Sequence, residues 1–117
     1  MGVLRETAEG ETRVAAVPRT VRRLVELDLH VAVQAGAGAS AGFDDDAYRQ
    51  AGAAVDPSAE AVLDGADLVV KVRPPRADRS GRVHELAKFP ASCTLIALLD
   101  PLRDPRPAQR LAEAGVN

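Results

Sequence analysis

Aromatic residues are scarce in this chain, and cysteine is nearly absent. Phenylalanine, tyrosine and tryptophan together make up 3% of the 117 residues, and tryptophan does not occur. Because 46% of the residues are nevertheless hydrophobic, the core has to be built from alanine, valine and leucine. The single cysteine, Cys93, excludes an internal disulfide and fits a reducing compartment. Its apolar neighbours predict that it fills a small space in the core.

Long runs of like charge are absent too, and the formal net charge is -2 at pH 7. The chain therefore has no basic block that would favour nucleic acid or an anionic membrane as a partner. It has no apolar stretch of about 18 residues, as a transmembrane helix requires, and its charged first residues do not resemble a signal peptide. No spacing of cysteine and histidine predicts a metal site. Thirteen arginines accompany two lysines, Lys71 and Lys88, which makes each lysine a distinct feature.

Short apolar runs alternate with helical periodicity along the chain, a pattern typical of an α/β domain with a parallel sheet. The predicted strands cover residues 2–4, 30–35, 67–72 and 95–99. The predicted helices cover residues 18–27, 44–50, 59–63 and 107–114, and the charged region 76–82 predicts a loop. Val116 would open a further strand. We therefore expect one doubly wound, mainly parallel sheet flanked by helices, which is incomplete within this sequence.

A glycine-rich segment after the second predicted strand is a candidate nucleotide loop. A dinucleotide-binding loop needs three glycines at fixed spacing and an immediate helix that faces the pyrophosphate. Gly36 and Gly38 match the start of that pattern, but Ala41 stands where the third glycine belongs. Three aspartates at 44–46 would also repel an anion. The segment is therefore predicted to be a structural turn, and we predict no cofactor-binding residue.

Two cations, Arg13 and Lys71, occupy positions suited to anion binding. Arg13 lies near the end of an element, where a guanidinium can bind a carboxylate or phosphate. Lys71 ends a predicted strand, and ligands of open parallel sheets bind beyond the carboxyl ends of the strands. We expect the two to share one cleft, with a carboxylate such as Glu6 offsetting their repulsion. The alternatives are a salt-bridged surface arginine and a lysine that extends from the strand end into solvent.

The sequence resembles the alanine dehydrogenase and nicotinamide nucleotide transhydrogenase family over essentially its whole length, residues 2–116. The segments that carry the resemblance are 2–6, 11–24 and 67–75. Family members have a hydroxyl residue at the position of Val17, where it would cap the helix that starts at Pro18. They also have a glycine near Asp28, where that helix ends. The resemblance implies a Rossmann-like or flavodoxin-like N-terminal lobe over residues 1–117, with the downstream NAD-binding domain absent.

The resemblance also implies roles for particular residues. In alanine dehydrogenases, the residues that match Arg13 and Lys71 hold the carboxylate and carbonyl of the substrate. Those enzymes have a catalytic histidine where this chain has Asp100, and an ordinary carboxylate is a poor proton donor at neutral pH. Transhydrogenase alpha subunits lack that histidine and continue with a proline, as Pro101 does here. The resemblance is closer to the transhydrogenase branch. We name no catalytic residue and expect both histidines, His30 and His84, to lie on the surface.

The function implied by the resemblance is that of the N-terminal segment of the NAD(H)-binding alpha subunit of a proton-translocating NAD(P) transhydrogenase. Its partners would be the NAD(H)-binding domain and the membrane and NADP(H)-binding components. The full-length protein would be a cytoplasmic homodimer, peripheral to the inner membrane through its partner subunits. NAD(H) would bind the full-length protein and not this segment alone. Two alternatives stay open: an alanine dehydrogenase-like lobe that binds a 2-oxo acid, and a degenerate, non-catalytic interaction module.

Overall fold

The computed structural model describes residues 1–76 and 85–117. Within these ranges the chain forms a five-stranded sheet of order β3-β2-β1-β4-β5. The strands are β1 (Gly2–Val3), β2 (Ala32–Gln34), β3 (Ala54–Asp56), β4 (Leu68–Val70) and β5 (Thr94–Ile96). The α-helices are α1 (Pro18–Glu26), α2 (Asp45–Gln50), α3 (Ala59–Leu63) and α4 (Arg106–Glu113), and short 3₁₀ turns cover Ala39–Ala41 and Leu86–Lys88.

The predicted doubly wound, parallel α/β fold is confirmed. All neighbouring strands in the sheet run parallel. The chain moves outward from β1 through β2 to β3, and then returns to the other side of β1 to form β4 and β5. The reversal between β1 and β4 is the topological switch point, where a crevice opens beyond the carboxyl ends of the strands. The residues that follow β1 and β4 are therefore brought to one edge of the sheet.

The structure contains one strand that the sequence pattern did not predict, β3 (Ala54–Asp56). It is an edge strand of the sheet, paired to β2. Ala54 is exposed and Asp56 has low strand propensity, so the segment lacks the apolar run or clear alternation that marks a strand. Of the predicted loop at 76–82, all residues but Arg76 lie outside the described residues. His84, which is predicted to lie on the surface, lies outside them too.

Alternating side chains of the strands bury a separate core on each face of the sheet. One core lies beneath α1 and α2 and is formed mainly by valine and alanine, together with Tyr48. The other lies beneath α3 and α4 and includes Leu4, Val69, Leu95 and Cys93. Cys93 is buried as predicted. In the strand that follows Cys93, successive side chains point to opposite faces of the sheet.

Both ends of α1 show the departures from the family pattern. Val17 precedes Pro18 in an extended conformation and makes no side-chain cap. At the other end, Asp28 and Leu29 donate their backbone N–H groups to Val25 and Leu24, which closes the helix in a Schellman motif. Asp28 has a φ of 61°, in the left-handed region that glycine adopts most readily. We therefore expect the missing hydroxyl cap and the missing glycine to weaken the two ends of this helix.

None of the helices in the described ranges combines the length and the apolar character that a membrane-spanning helix needs.

Candidate functional site

Arg13 and Lys71 lie on the wall of the same cavity at the carboxyl edge of the sheet. The cavity has a volume of about 460 Å³. Arg13 comes from the segment between β1 and α1, and Lys71 directly follows β4. The remaining lining residues are apolar: Val14, Ala15, Val17, Ala41, Val70, Val72, Ile96 and Leu98. The switch-point topology thus brings together the two cations that were selected from the sequence.

Lys71 is buried, with only 1% of its side chain exposed. Its Nζ donates to Oε1 of Glu85 at 2.6 Å and lies 3.4 Å from the backbone carbonyl oxygen of Arg5. The alternative prediction of a lysine that reaches into solvent is therefore wrong. A buried ammonium group is costly unless it has a charged partner and further hydrogen bonds. Glu85 provides that partner, and its own side chain is 16% exposed.

Arg13 is held by Glu11 in a two-pronged ion pair. Its Nε and Nη2 donate to Oε1 and Oε2 of Glu11, each at 2.7 Å. Glu11 also accepts a bond of 3.0 Å from Nε of Arg73, across 62 positions of sequence. The Arg13 hydrogen bonds, helped by Arg73, hold the pKa of the Glu11 carboxyl well below its usual range. Glu11 in turn raises the pKa of Arg13.

Glu6, which was expected to neutralise the two cations, has a different set of partners. Its carboxylate oxygens accept the backbone N–H groups of Val72 at 2.6 Å and Arg73 at 3.2 Å. These bonds attach the segment after β1 to the backbone just beyond β4. The carboxylates that pair with Arg13 and Lys71 are instead Glu11 and Glu85.

Sequence reasoning missed both of these carboxylates. Glu11 lies only two residues before Arg13, and two side chains this close in a loop can form an ion pair. The sequence therefore contained a signal for this pair. Glu85 gave no such signal, since its pairing with Lys71 depends on the tertiary fold.

Asp100 lies on a second cavity, whose volume is about 450 Å³. This cavity also contains Arg73, Arg103 and Glu11 in its wall, and it shares Leu98 with the cavity of Arg13 and Lys71. Asp100 has a φ of 47°, in the left-handed region. The position that carries the catalytic histidine in the resembled alanine dehydrogenases thus does not line the cavity of the two cations.

The glycine-rich segment 36–42 is held by an acidic side chain that follows it in the sequence. The backbone N–H of Gly36 donates to Oδ1 of Asp45 at 2.8 Å, so a carboxylate already occupies an amide that a phosphate would need. A Cβ atom on Gly38 would lie 2.6 Å from Cε2 of Tyr48, so close packing against this ring accounts for the glycine. Tyr48 is fully buried and donates its hydroxyl to the carbonyl of Ala16 at 3.0 Å. These contacts support the prediction of a structural turn.

Cys93 and His30 are two further candidate groups among the residues that the structure describes. Burial raises the pKa of the Cys93 thiol, which disfavours the reactive thiolate. His30 is exposed, as predicted. Within residues 1–76 and 85–117, no cluster of three or more histidine, cysteine, aspartate or glutamate side chains is arranged to hold a metal ion.

Comparisons with known proteins agree with this architecture. The family model described as "Alanine dehydrogenase/PNT, N-terminal domain" matches residues 2–117. The NAD(P) transhydrogenase subunit alpha of Cereibacter sphaeroides is 46% identical over 92 residues, which cover 76% of this chain and 18% of that protein. The alanine dehydrogenase of Bacillus subtilis is 34% identical over 116 residues, which cover 99% of this chain and 29% of that protein.

A solved structure of the transhydrogenase from Sinorhizobium meliloti has the same fold, with a TM-score of 0.85 and 31% sequence identity. The match covers 98% of this chain and 32% of that one. The chain thus spans less than a third of the length of each of these proteins. It is similar to the N-terminal region of transhydrogenase alpha subunits, and it belongs to the alanine dehydrogenase/PNT N-terminal domain family.

Proposed function

We propose that the chain is the N-terminal segment of the NAD(H)-binding alpha subunit of a proton-translocating NAD(P) transhydrogenase. In the whole protein, hydride would pass between NADH and NADP⁺, and proton movement would be coupled to this transfer. The segment would pack beside the NAD(H)-binding domain of a cytoplasmic homodimer that meets the membrane through its NADP(H)-binding and membrane components. The isolated segment would be inactive.

The observation that carries this proposal is the identity and place of Asp100. Alanine dehydrogenation requires a group that transfers a proton next to the bound substrate, and histidine suits this task near neutral pH. Asp100 is a carboxylate, and it lines a different cavity from Arg13 and Lys71. Transfer of hydride between two nicotinamides needs no such proton transfer. The 46% identity to a transhydrogenase subunit over 92 residues supports the same assignment.

Titration of the isolated chain with NADH tests where the nucleotide is bound. We expect a Kd no tighter than about 1 mM, because the amide of Gly36 is occupied by Asp45 and the segment 44–46 is acidic. A Kd in the micromolar range would contradict the proposal that the nucleotide is bound by another domain. It would restore the segment 36–42 as a candidate cofactor site. The variant Asp45→Asn serves as a control, because it removes a negative charge beside Gly36 that would repel the phosphates of NADH.

One observation favours the second candidate, an alanine dehydrogenase-like lobe that binds a 2-oxo acid. Arg13 and Lys71 share a cavity, as a site for a carboxylate and a carbonyl would require. The test is to replace the corresponding segment of the Bacillus subtilis alanine dehydrogenase with this chain. Under the transhydrogenase proposal, this chimera does not oxidise alanine. Alanine oxidation by the chimera that retains Asp100 would favour the second candidate.

A further inference from the structure

Two cations follow β4 at alternate positions, but they line different cavities. Lys71 lies on the wall of the cavity that also contains Arg13, and Arg73 lies on the wall of the second cavity, the one with Asp100. In an extended strand, residues i and i+2 point to the same face of the sheet. The backbone must therefore change direction between Lys71 and Arg73. The chain does bend here, at Val72 and Arg73.

The bend lies where the pairing of β1 with β4 stops. The last residues of these strands that pair are Val3 and Val70. Just beyond them, the carboxylate of Glu6 accepts the N–H of Val72 at 2.6 Å and the N–H of Arg73 at 3.2 Å. Consecutive N–H groups of an extended strand point in opposite directions, so one carboxylate can accept both only where the chain bends. Glu6 is thus the acceptor at the point where β1 no longer pairs with β4.

Glu6 acts on the backbone rather than on side chains. Its two hydrogen bonds among the described residues go to backbone amides, one from each carboxylate oxygen. A carboxylate bound in this way fixes the path of the chain and leaves the neighbouring side chains to other partners. Lys71 donates its Nζ to Glu85 at 2.6 Å, and Arg73 donates its Nε to Glu11 at 3.0 Å.

The backbone around Lys71 is held on both sides. Its own N–H donates to the carbonyl of Ile96 in β5 at 3.0 Å. The next N–H, that of Val72, donates to Glu6 on the side of β1. Nζ of Lys71 lies 3.4 Å from the carbonyl oxygen of Arg5, the residue before Glu6. Loss of the Glu6 carboxylate would therefore free one of the two attachments that set the direction of the lysine.

We propose that Glu6 is a positioning residue, which holds the bend that directs Lys71 into one cavity and Arg73 into the other. It does so through the backbone, without being the charge partner of either side chain. This inference concerns the carboxyl edge of the sheet and does not depend on the proposed function. The directions of the cations in both cavities depend on this one carboxylate.

Chemical rescue tests whether the carboxylate itself holds the bend. Glu6→Ala deletes a methylene and the carboxylate, which together have the size of acetate, so it leaves a gap that acetate can fill. In this variant, hydrogen exchange of the Val72 and Arg73 amides should be faster by about tenfold or more. The nuclear magnetic resonance signals of the Lys71 and Arg73 side chains should shift. Acetate should restore both readouts in a saturable manner, whereas chloride at the same ionic strength should not.

The variant Asp45→Ala is the matched control, because Asp45 also accepts a backbone amide, that of Gly36 at 2.8 Å. It should leave the two amides and the two side-chain signals unchanged. The proposal is overturned if Glu6→Ala changes the exchange or the signals no more than Asp45→Ala does. It is also overturned if the side-chain signals stay in place while exchange becomes faster, or if acetate restores no more than chloride does.

A second variant, Glu6→Gln, covers the case in which the alanine variant does not fold. Glutamine has nearly the same size but only one acceptor oxygen, so it can accept from Val72 or from Arg73 but not from both. We expect faster exchange at one of the two amides and a smaller shift of the Lys71 signal. Equal protection of both amides in this variant and in the unmodified chain would also overturn the proposal.

Discussion

The carboxylate of Glu11 accepts a hydrogen bond of 3.0 Å from Nε of Arg73, and the same carboxylate holds Arg13. This bridge fastens the segment between β1 and α1 to the residues just beyond β4. It runs beside the backbone bonds of Glu6, which make the same connection. The two carboxylates therefore shape the edge of the sheet from which Arg13 and Lys71 reach their cavity.

Replacement of Glu11 by glutamine should lower the urea midpoint of unfolding clearly more than replacement of Asp46 by asparagine. Glu11 is only 6% exposed and bridges two arginines, so its loss leaves both without their shared partner. Asp46 pairs with Arg49 at 2.7 Å, but its side chain is 77% exposed and the pair contributes little. Equal effects of the two substitutions would show that the Glu11 bridge does not stabilise the fold.

Acid should weaken the fold partly through Glu11, because the pKa of this carboxyl is lower in the folded chain than in the unfolded one. The unfolded state then takes up the proton first as the pH falls. The contribution of Glu11 to stability is complete above about pH 5 and declines steadily below it. Denaturation midpoints measured from pH 7 to pH 3 should fall less steeply for Glu11→Gln than for the unmodified chain. If the midpoints of the two proteins fall equally steeply with pH, the acid sensitivity does not come from Glu11.

Tyr48 should ionise only in strongly alkaline solution. Burial raises the pKa of its phenol to about 12. It is the only tyrosine in a chain without tryptophan, so ultraviolet absorbance follows it directly. The folded chain keeps the phenol of Tyr48 protonated. The contribution of Tyr48 to stability is therefore complete below about pH 10 and is lost as the pH rises through the pKa of the folded state. An absorbance midpoint near pH 10 in the folded chain would contradict its burial.

Removal of the Tyr48 hydroxyl tests its bond to the segment between β1 and α1. Tyr48→Phe deletes the bond to the carbonyl of Ala16, and the free energy of unfolding should fall by about 0.5–1.5 kcal/mol. Urea denaturation measures the change. A variant as stable as the unmodified chain would mean that the bond to Ala16 does not contribute to stability.

Much of this fold was predictable because its strands and helices carry strong local signals. Leu68, Val69 and Val70 form an apolar run bounded by charge and proline, which identified β4. Ser58 and Asp44 cap α3 and α2 as side-chain acceptors, and the two helices follow directly. The strand β3 was missed because its residues are small or acidic and pair at an edge, where tertiary context decides the structure.

The candidate site could be predicted only in part. Lys71 and Arg13 were identified because each ends or follows an element at the carboxyl edge of a parallel sheet. The carboxylate that pairs with Lys71 could not be deduced, since Glu85 lies 14 positions away in the sequence and meets Lys71 only in the folded chain. Local sequence reports which residues can carry charge, whereas the fold decides which of them neutralise each other.

Insertion of a hydroxyl at position 17 should strengthen the start of α1. Val17 already has the extended conformation of a cap residue, and the first turn lacks a side-chain acceptor. Val17→Thr should raise the free energy of unfolding by about 0.5–1 kcal/mol. Val17→Ala, which shortens the side chain without adding an acceptor, is the control. A threonine variant no more stable than the unmodified chain would mean that the contacts of Val17 with its core outweigh a cap.

The most direct test of the account is hydride transfer by a chimeric transhydrogenase. The matching segment of the Cereibacter sphaeroides alpha subunit is replaced by this chain, and reduction of NADP⁺ by NADH is measured after assembly with the other subunits in membranes. An N-terminal segment of an alpha subunit should support transfer at a rate within about tenfold of the unmodified enzyme, a difference of roughly 1.4 kcal/mol in the barrier. An assembled chimera that binds NADH but transfers no hydride would contradict the account.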